Sequence, residues 1–176
     1  MTTPTIPRPK ADEHSPYYAK YIDRVPDGDL VALLRDQLMD TVSLLRNVTP
    51  DREDYAYGPD KWTIKEVVGH IVDVERVMAF RALWFARNDT APLPGFDENA
   101  WVPSVNFGAR TLADLVEELQ IVRASTVYFA KHLDPDVLAR RGVANGQPVS
   151  VRALLYIIAG HERHHAALLR ERYLKQ

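Results

Sequence analysis

Four segments of the chain repeat apolar residues at intervals of three and four, the spacing that places side chains on one face of an α-helix. These segments are 30–48, 63–88, 111–133 and 150–169. Each begins at or just after a residue whose side chain can cap a helix, namely Asp27 or Asp29 for the first helix, then Thr63, Thr111 and Ser150. Because no convincing strand accompanies them, the pattern predicts an all-α fold, a four-helix bundle.

The segment before the first helix differs from the rest of the chain in its proline content and in its lack of helical periodicity. Residues 1–26 contain several prolines and show no helical periodicity, so we expect an extended N-terminal arm. The remaining residues, 27–176, are expected to form the bundle as one domain, since a chain of this length buries a single core without splitting.

Between the second and third predicted helices lies a long loop, residues 89–110. It is much longer than the usual connection of about 4–6 residues, and such loops often act as lids or crossovers. We expect a crossover that links two parallel helices. The aromatic residues Phe96 and Trp101 either cover a functional site from this loop or only seal the end of the bundle.

Composition excludes several classes of protein. With 22 basic and 24 acidic residues, the chain lacks the charge of a nucleic-acid binder. No apolar run approaches the roughly 18 residues of a membrane span, and the N-terminus lacks the apolar stretch of a secretory signal, so a cytoplasmic protein is expected. There is no cysteine. Any metal site must therefore use nitrogen and oxygen ligands, and any reactive thiol must come from a small molecule.

The fourth predicted helix carries the most informative motif, Gly160-His-Glu-Arg-His-His165. His161 and His165 are one turn apart and fall within the apolar stripe, so their Cβ atoms are expected about 5–6 Å apart. His164 falls at the flank of that stripe, where a supporting or surface role is expected. Two neighbouring buried imidazoles need partners, and a metal ion satisfies both. Histidines that are simply hydrogen-bonded remain the alternative at this point.

A third ligand candidate, His70, lies at the shoulder of the apolar face of the second helix. Taken alone, such a histidine is more typical of a structural residue. On the far side of the same face, Glu75 is expected to form a structural ion pair with Arg81 or Arg123.

Two further acidic residues lie near the histidines in the sequence. Glu162 and Asp73 could orient ligand imidazoles, although a solvated helix face is the favoured interpretation for both.

Several motifs together resemble a known family. They are Lys61-Trp-Thr-Ile-Lys-Glu-Val-Val-Gly-His70, Glu75, Arg81, Pro94-Gly-Phe-Asp97 and Gly160-His-Glu-Arg-His-His165. The pattern looks like the DinB/YfiT-like family of metalloenzymes and extends from about Tyr17 to Tyr173. The resemblance implies a four-helix bundle with an up-down-down-up course. It also implies a metal ion held by the set His70, His161 and His165.

Three imidazoles suit zinc, nickel, iron(II) or copper rather than magnesium or calcium, with zinc or nickel favoured, and leave a coordination position open. Within the resembling family, some members use low-molecular-weight thiols, and a homodimer is the usual assembly. Our leading hypothesis is therefore a metal-dependent enzyme acting on a small molecule, either a thiol-dependent transferase or a hydrolase. A non-catalytic, stress-associated metal-binding bundle is the first alternative. A plain bundle with metal-free histidines is the second.

Overall fold

In the computed structural model, residues 5–175 are described, and within them the chain forms seven α-helices. They are α1 (Ala19–Ile22), α2 (Leu30–Arg46), α3 (Ile64–Ala86), α4 (Glu98–Ser104), α5 (Leu112–Ala130), α6 (Pro135–Leu138) and α7 (Val151–Leu168). The four predicted helices are α2, α3, α5 and α7, and every predicted end lies within three residues of the observed one. A π-helical turn, Leu169–Tyr173, continues α7.

The predicted caps begin these helices. The Asp29 carboxylate accepts a hydrogen bond from the amide of Val31, and the hydroxyl of Thr63 accepts one from Glu66. Thr111 and Ser150 cap α5 and α7 in the same way. These bonds satisfy amides that have no partner inside the helix, which explains why the starts could be located from the sequence.

The course of the four long helices follows from their side-chain contacts. Gln37 of α2 bonds the carbonyl of Ala159, and Thr41, one turn later, bonds Glu162, so α2 and α7 run parallel. Likewise, α3 packs against both α5 and α7. His70 near the start of α3 meets residues near the end of α7, so these two helices are antiparallel.

Helices α3 and α5 are parallel, because Lys65 contacts Gly108 just before α5 and Glu75 contacts Arg123 in its second half. The resulting order around the bundle is α2, α5, α3, α7. The predicted all-α fold and its up-down-down-up course are confirmed.

The crossover between α3 and α5 is more ordered than expected. Residues 89–110 were expected to be irregular, but they include α4 and a short 3₁₀ helix, Phe107–Ala109. The Leu93 amide donates a 2.9 Å hydrogen bond to the carbonyl of Val143, and the Leu93 carbonyl accepts a 3.0 Å hydrogen bond from the amide of Asn145. The crossover is therefore attached to the segment that precedes α7.

That segment forms a β-hairpin, which corrects the expectation of no strand. Strands β1 (Arg141–Ala144) and β2 (Gln147–Ser150) pair antiparallel around Asn145-Gly146. Both turn residues have positive φ, 53° and 69°, the conformation that a two-residue Asn-Gly hairpin turn adopts. The strands are only four residues long and lack strict alternation, so their hydrophobic pattern carries little signal.

The N-terminal arm packs along α7. It contains two short 3₁₀ helices, Ala11–Glu13 and Pro16–Tyr18, followed by α1. Its residues Ile6, Ile22 and Val25 are buried in the main core. Residues 1–4 of the arm lie outside the described part, and the division into arm and bundle domain stays a prediction.

A polar layer separates two apolar clusters of the core. One cluster gathers around the hairpin end of the bundle and the other around the opposite end. Between them Arg123 makes a two-pronged contact of 2.8 Å with Glu75 and a 2.7 Å contact with Glu162. The predicted histidines lie at the same level of the bundle, which places the candidate site at mid-height.

Candidate metal centre

The structure brings the three predicted histidines together. Nε2 of His161 lies 3.0 Å from Nε2 of His70 and 3.2 Å from Nε2 of His165. One ring nitrogen from each lies within 4.8 Å of the other two, and all three side chains are buried. Within residues 5–175, no other group of three or more histidine or acidic side chains lies close enough together to hold an ion.

Glycines beside the histidines make room for this convergence. A Cβ atom on Gly69 would lie 2.3 Å from the ring of Phe107, so the glycine lets that ring pack on α3 beside His70. The indole of Trp62 packs against the His70 ring, with ring centroids 4.7 Å apart. Close packing of this kind restricts the rotamers of the imidazole.

The surroundings hold the imidazoles in their neutral form. Burial lowers the pKa of His70 to about 4, with a smaller contribution from the positive charge of His164. Burial also lowers the pKa values of His161 and His165, and mutual repulsion among the rings adds to this effect. Neutral imidazoles offer the lone pairs that a metal ion requires.

Hydrogen bonds alone do not satisfy this cluster. Nε2 of His161 faces two ring nitrogens, and a neutral ring nitrogen carries either one hydrogen or one lone pair. In addition, Nδ1 of His165 is buried and has no hydrogen-bond partner within the described residues. Ligands of a tetrahedral ion at 2.0–2.1 Å would be about 3.3 Å apart, close to the observed 3.0 and 3.2 Å. The residues therefore fit a divalent metal ion.

A cavity of about 220 Å³ opens beside the cluster. Its walls include His70 of α3 together with Ile157 and His161 of α7, and the rest of the lining comes from α3 and from three other parts of the chain. The N-terminal arm contributes Ser15, Tyr17, Tyr18 and Tyr21, α3 contributes Val74, Met78 and Arg81, the crossover contributes Gly95, Phe96 and Glu98, and the hairpin contributes Ala144, Asn145 and Gln147. A space of this size admits a small molecule.

Other residues considered from the sequence have different roles. Glu75 pairs with Arg123, as one of the two predicted partners. Glu162 was expected on a solvated face, but it is buried and bonded to Thr41 and Arg123. The reason is that α7 is covered on several sides, by α1, α2 and α3, so its polar face is also enclosed.

Of the other residues named from the sequence, some line the cavity and others lie outside it. Phe96 lines the cavity, whereas Trp101 stacks on Phe96 and is 42% exposed. His164 is half-buried against the ring of Tyr21, outside the converging cluster. Asp73 is half-buried, and its surrounding charges are Arg76, Glu118 and Arg110 rather than the histidines.

The sequence did not reveal two parts of the cavity wall. Tyr18 and Tyr21 come from the arm, which carries no periodic pattern, and Asn145 comes from the unpredicted hairpin. The Asn145-Gly146 pair was a usable signal for that turn. Arg81 was considered as a partner of Glu75 and as part of the family motifs, but not as part of the cavity wall, although its spacing from His70 places it on the same face of α3.

A family model settles the lineage of this fold and site. The model that describes the DinB superfamily matches residues 33–169. The chain belongs to the DinB superfamily. The resemblance drawn from the motifs is thereby confirmed, and the matched region includes all three histidines.

A curated relative adds a description of function. A protein of Oceanobacillus iheyensis named a "putative metal-dependent hydrolase" is 29% identical over 116 residues, which are 63% of this chain and 64% of that protein. This chain therefore spans less than two thirds of the relative's length.

Two solved structures share the fold of this DinB protein. One is YfiT from Bacillus subtilis, described as "a probable metal-dependent hydrolase with an unusual four-helix bundle topology". Its TM-score is 0.69 at 18% identity, and the match covers 93% of this chain and 89% of YfiT. The mycothiol-dependent maleylpyruvate isomerase has a TM-score of 0.60 at 16% identity, over 83% of this chain and 61% of that one. At these identities, the likenesses show the fold alone.

Within residues 5–175, no helix combines the length and apolarity needed to cross a membrane.

Proposed function

We propose that His70, His161 and His165 bind a divalent metal ion and that this DinB protein is a metal-dependent enzyme acting on a small molecule. Zinc or nickel suits three imidazoles best, with iron as an alternative. The observation that carries the proposal is the convergence of three ring nitrogens, 3.0 and 3.2 Å apart, beside a cavity of about 220 Å³.

The donor set favours chemistry over a purely structural site. Structural zinc sites usually have four protein ligands, and catalytic sites keep three with one position open. Here three imidazoles converge, and the cavity borders two of them, His70 and His161. A divalent ion held there would lower the pKa of a bound water or thiol and so supply a nucleophile near neutral pH.

The chain's own residues would arrange the substrate. The tyrosines of the arm, Tyr18 and Tyr21, and the crossover residue Phe96 close the cavity on sides that the four long helices leave open. Such a wall excludes water from the reacting groups, which strengthens electrostatic interactions there.

Two reactions remain within this proposal. Hydrolysis is supported by the names of the Oceanobacillus iheyensis protein and of YfiT. Transfer to a low-molecular-weight thiol is supported by the description of the isomerase as mycothiol-dependent and by the absence of cysteine in this chain. The thiol, the expected homodimer and the cytoplasmic location stay predictions.

Metal content and turnover measured on the same preparations test the proposal. Untagged protein should contain about one equivalent of metal by elemental mass spectrometry and should turn over either p-nitrophenyl esters or a bimane electrophile with added thiol. His161→Ala should lose both properties. His132→Ala is the matched control, because its exposed ring lies just past the end of α5, away from the cluster, and contacts the carbonyl of Tyr128.

The outcomes separate the three hypotheses. Metal without turnover, together with a lower melting temperature on chelation, would favour the non-catalytic metal-binding protein. Wild-type protein that takes up no zinc, nickel or iron would overturn the proposal and leave a plain bundle.

A further inference from the structure

A buried arginine in the cavity wall has no acidic partner in the described part of the chain. Arg81 of α3 is 3% exposed, and within residues 5–175 no carboxylate lies within salt-bridge distance of it. Its Nη2 donates a 2.7 Å hydrogen bond to the carbonyl of Pro94, and its Nη1 contacts the sulfur of Met78 at 3.7 Å. Arg123, which is equally buried, has two carboxylates.

Burying a cation without a counter-charge costs free energy, because the cation loses its hydration and gains no ion pair in return. The Pro94 carbonyl, the Met78 thioether, the face of Phe96 at 5.6 Å from the guanidinium carbon and the nearby Tyr18 hydroxyl are all uncharged and offset only part of this cost. The guanidinium still has N–H groups free to donate, and its planar fork matches the geometry of a carboxylate. Arg81 therefore has both the charge and the donor groups to bind an anionic group that enters the cavity.

The position of Arg81 relates it to the histidine cluster. His70, Val74, Met78 and Arg81 follow one another at intervals of four, four and three, so they lie on one face of α3. His70 and Arg81 are about 16 Å apart along the helix axis, and the Arg81 side chain leans towards His70 because helical side chains point to the N-terminus. Val74 and Met78 form an apolar stretch of cavity wall between them.

We propose that this cavity binds a substrate with a carboxylate at one end, which pairs with Arg81 while the reacting group lies at the histidine cluster. The inference rests on the proposed function and names its substrate class. Apolar atoms between the two ends contact Val74 and Met78. Glu98 also lines the cavity, but its carboxylate makes neither a hydrogen bond nor a salt bridge with Arg81, so it occupies none of the guanidinium's N–H groups.

Paired ligands that differ only in charge test this proposal. The probes are ω-carboxyalkyl hydroxamic acids with four to seven methylene groups, each paired with its terminal amide, since a hydroxamate chelates divalent ions. Binding is measured by calorimetry on metal-loaded protein. For the best length, the carboxylate should bind at least tenfold more tightly than the amide. In Arg81→Gln, the two should bind within twofold of each other.

Two further variants keep the test independent of folding and of general charge effects. Arg76→Gln removes a charge from the same helix, but Arg76 is half-exposed and pairs with Glu118, so the preference should be unchanged. If Arg81→Gln does not fold, Arg81→Lys decides, because lysine keeps the charge and loses the two-pronged contact. It should reduce the preference at least threefold.

Simple acids separate this inference from the metal proposal. Hexanoate and hexanamide are titrated into metal-free protein and followed by chemical-shift changes. If wild-type protein prefers hexanoate, Arg81→Gln does not, and the hydroxamates fail to bind, the anion site is supported and the metal centre is overturned. Hydroxamates that bind regardless of their distal charge, or a preference that survives in Arg81→Gln, would overturn the anion site and leave the metal centre in place.

Discussion

A Cβ atom on Gly160 would lie 2.0 Å from the carbonyl oxygen of Tyr21, so α7 and the N-terminal arm can touch at this point only through a glycine. The contact has a functional consequence. It places the ring of Tyr21 against His161, with ring centroids 5.4 Å apart, and makes the arm part of the cavity wall. The residue before the metal-ligand candidate thus determines how the site is closed.

The first prediction concerns that contact. Gly160→Ala must displace the backbone of Tyr21, and we expect it to lower the free energy of unfolding by about 1–3 kcal/mol, as overpacked cores do. Urea denaturation measures the change. Gly58→Ala is the control, because its nearest neighbour would be the flexible side chain of Lys61 at 3.7 Å. Equal stability of the two variants would show that the arm does not pack here.

The second prediction concerns the polar layer. Arg123→Met leaves Glu75 and Glu162 buried without their partner, and we expect a loss of about 3–5 kcal/mol in the free energy of unfolding. Arg110→Met removes a partly exposed arginine that also binds two carboxylates, and it should cost less than about 1 kcal/mol. Losses of similar size would contradict the buried network.

The third prediction is a pH dependence. Hydrogen bonds from Arg152 lower the pKa of Glu13 from 4.5 to about 2, with a further contribution from Ser150. Because the folded-state pKa is depressed, this stabilisation is present above pH 4.5 and is lost as the pH falls towards 2. It amounts to at most about 3 kcal/mol.

Urea titrations of Glu13→Gln between pH 3 and pH 7 measure this effect. The stability difference from wild type should shrink steadily as the pH falls below about 5. A pH-independent difference for Glu13→Gln would mean that the carboxylate is unpaired in solution.

The fourth prediction concerns metal removal. An ion that binds only the folded state adds about 3–4 kcal/mol of stability at 100 to 1,000 times its dissociation constant. Chelation should therefore lower the melting temperature of wild-type protein by roughly 5–15 °C. His161→Ala should start at the lower value and should not respond to the chelator. A wild-type melting temperature that chelation leaves unchanged would argue against a bound ion.

Local signals explain why the fold could be predicted. Helix starts depend on a single side chain that bonds an amide two or three residues later, as at Thr63 and Ser150, so the sequence contains the whole interaction. The hairpin was missed because strands as short as Arg141–Ala144 owe their stability to neighbours such as Leu93 on the crossover. Contacts of that kind depend on the tertiary structure.

The same distinction applies to the site. His161 and His165 could be paired from their spacing along one helix, but His70 lies at the shoulder of its helix and needed the family resemblance. The environment of Glu162 depends on how many elements cover α7. Within residues 5–175, Arg81 has no acidic partner because Glu75 pairs with Arg123 instead. Neither can be read from helical periodicity.

X-ray absorption at the metal edge tests the central claim most directly. In zinc- or nickel-loaded wild type, the spectrum should fit three imidazole nitrogens at about 2.0–2.1 Å and one further light ligand. His70→Ala should fit two imidazoles, and His132→Ala should match wild type. A spectrum without imidazole scattering, or one that none of His70→Ala, His161→Ala and His165→Ala changes, would contradict a metal centre built from these residues.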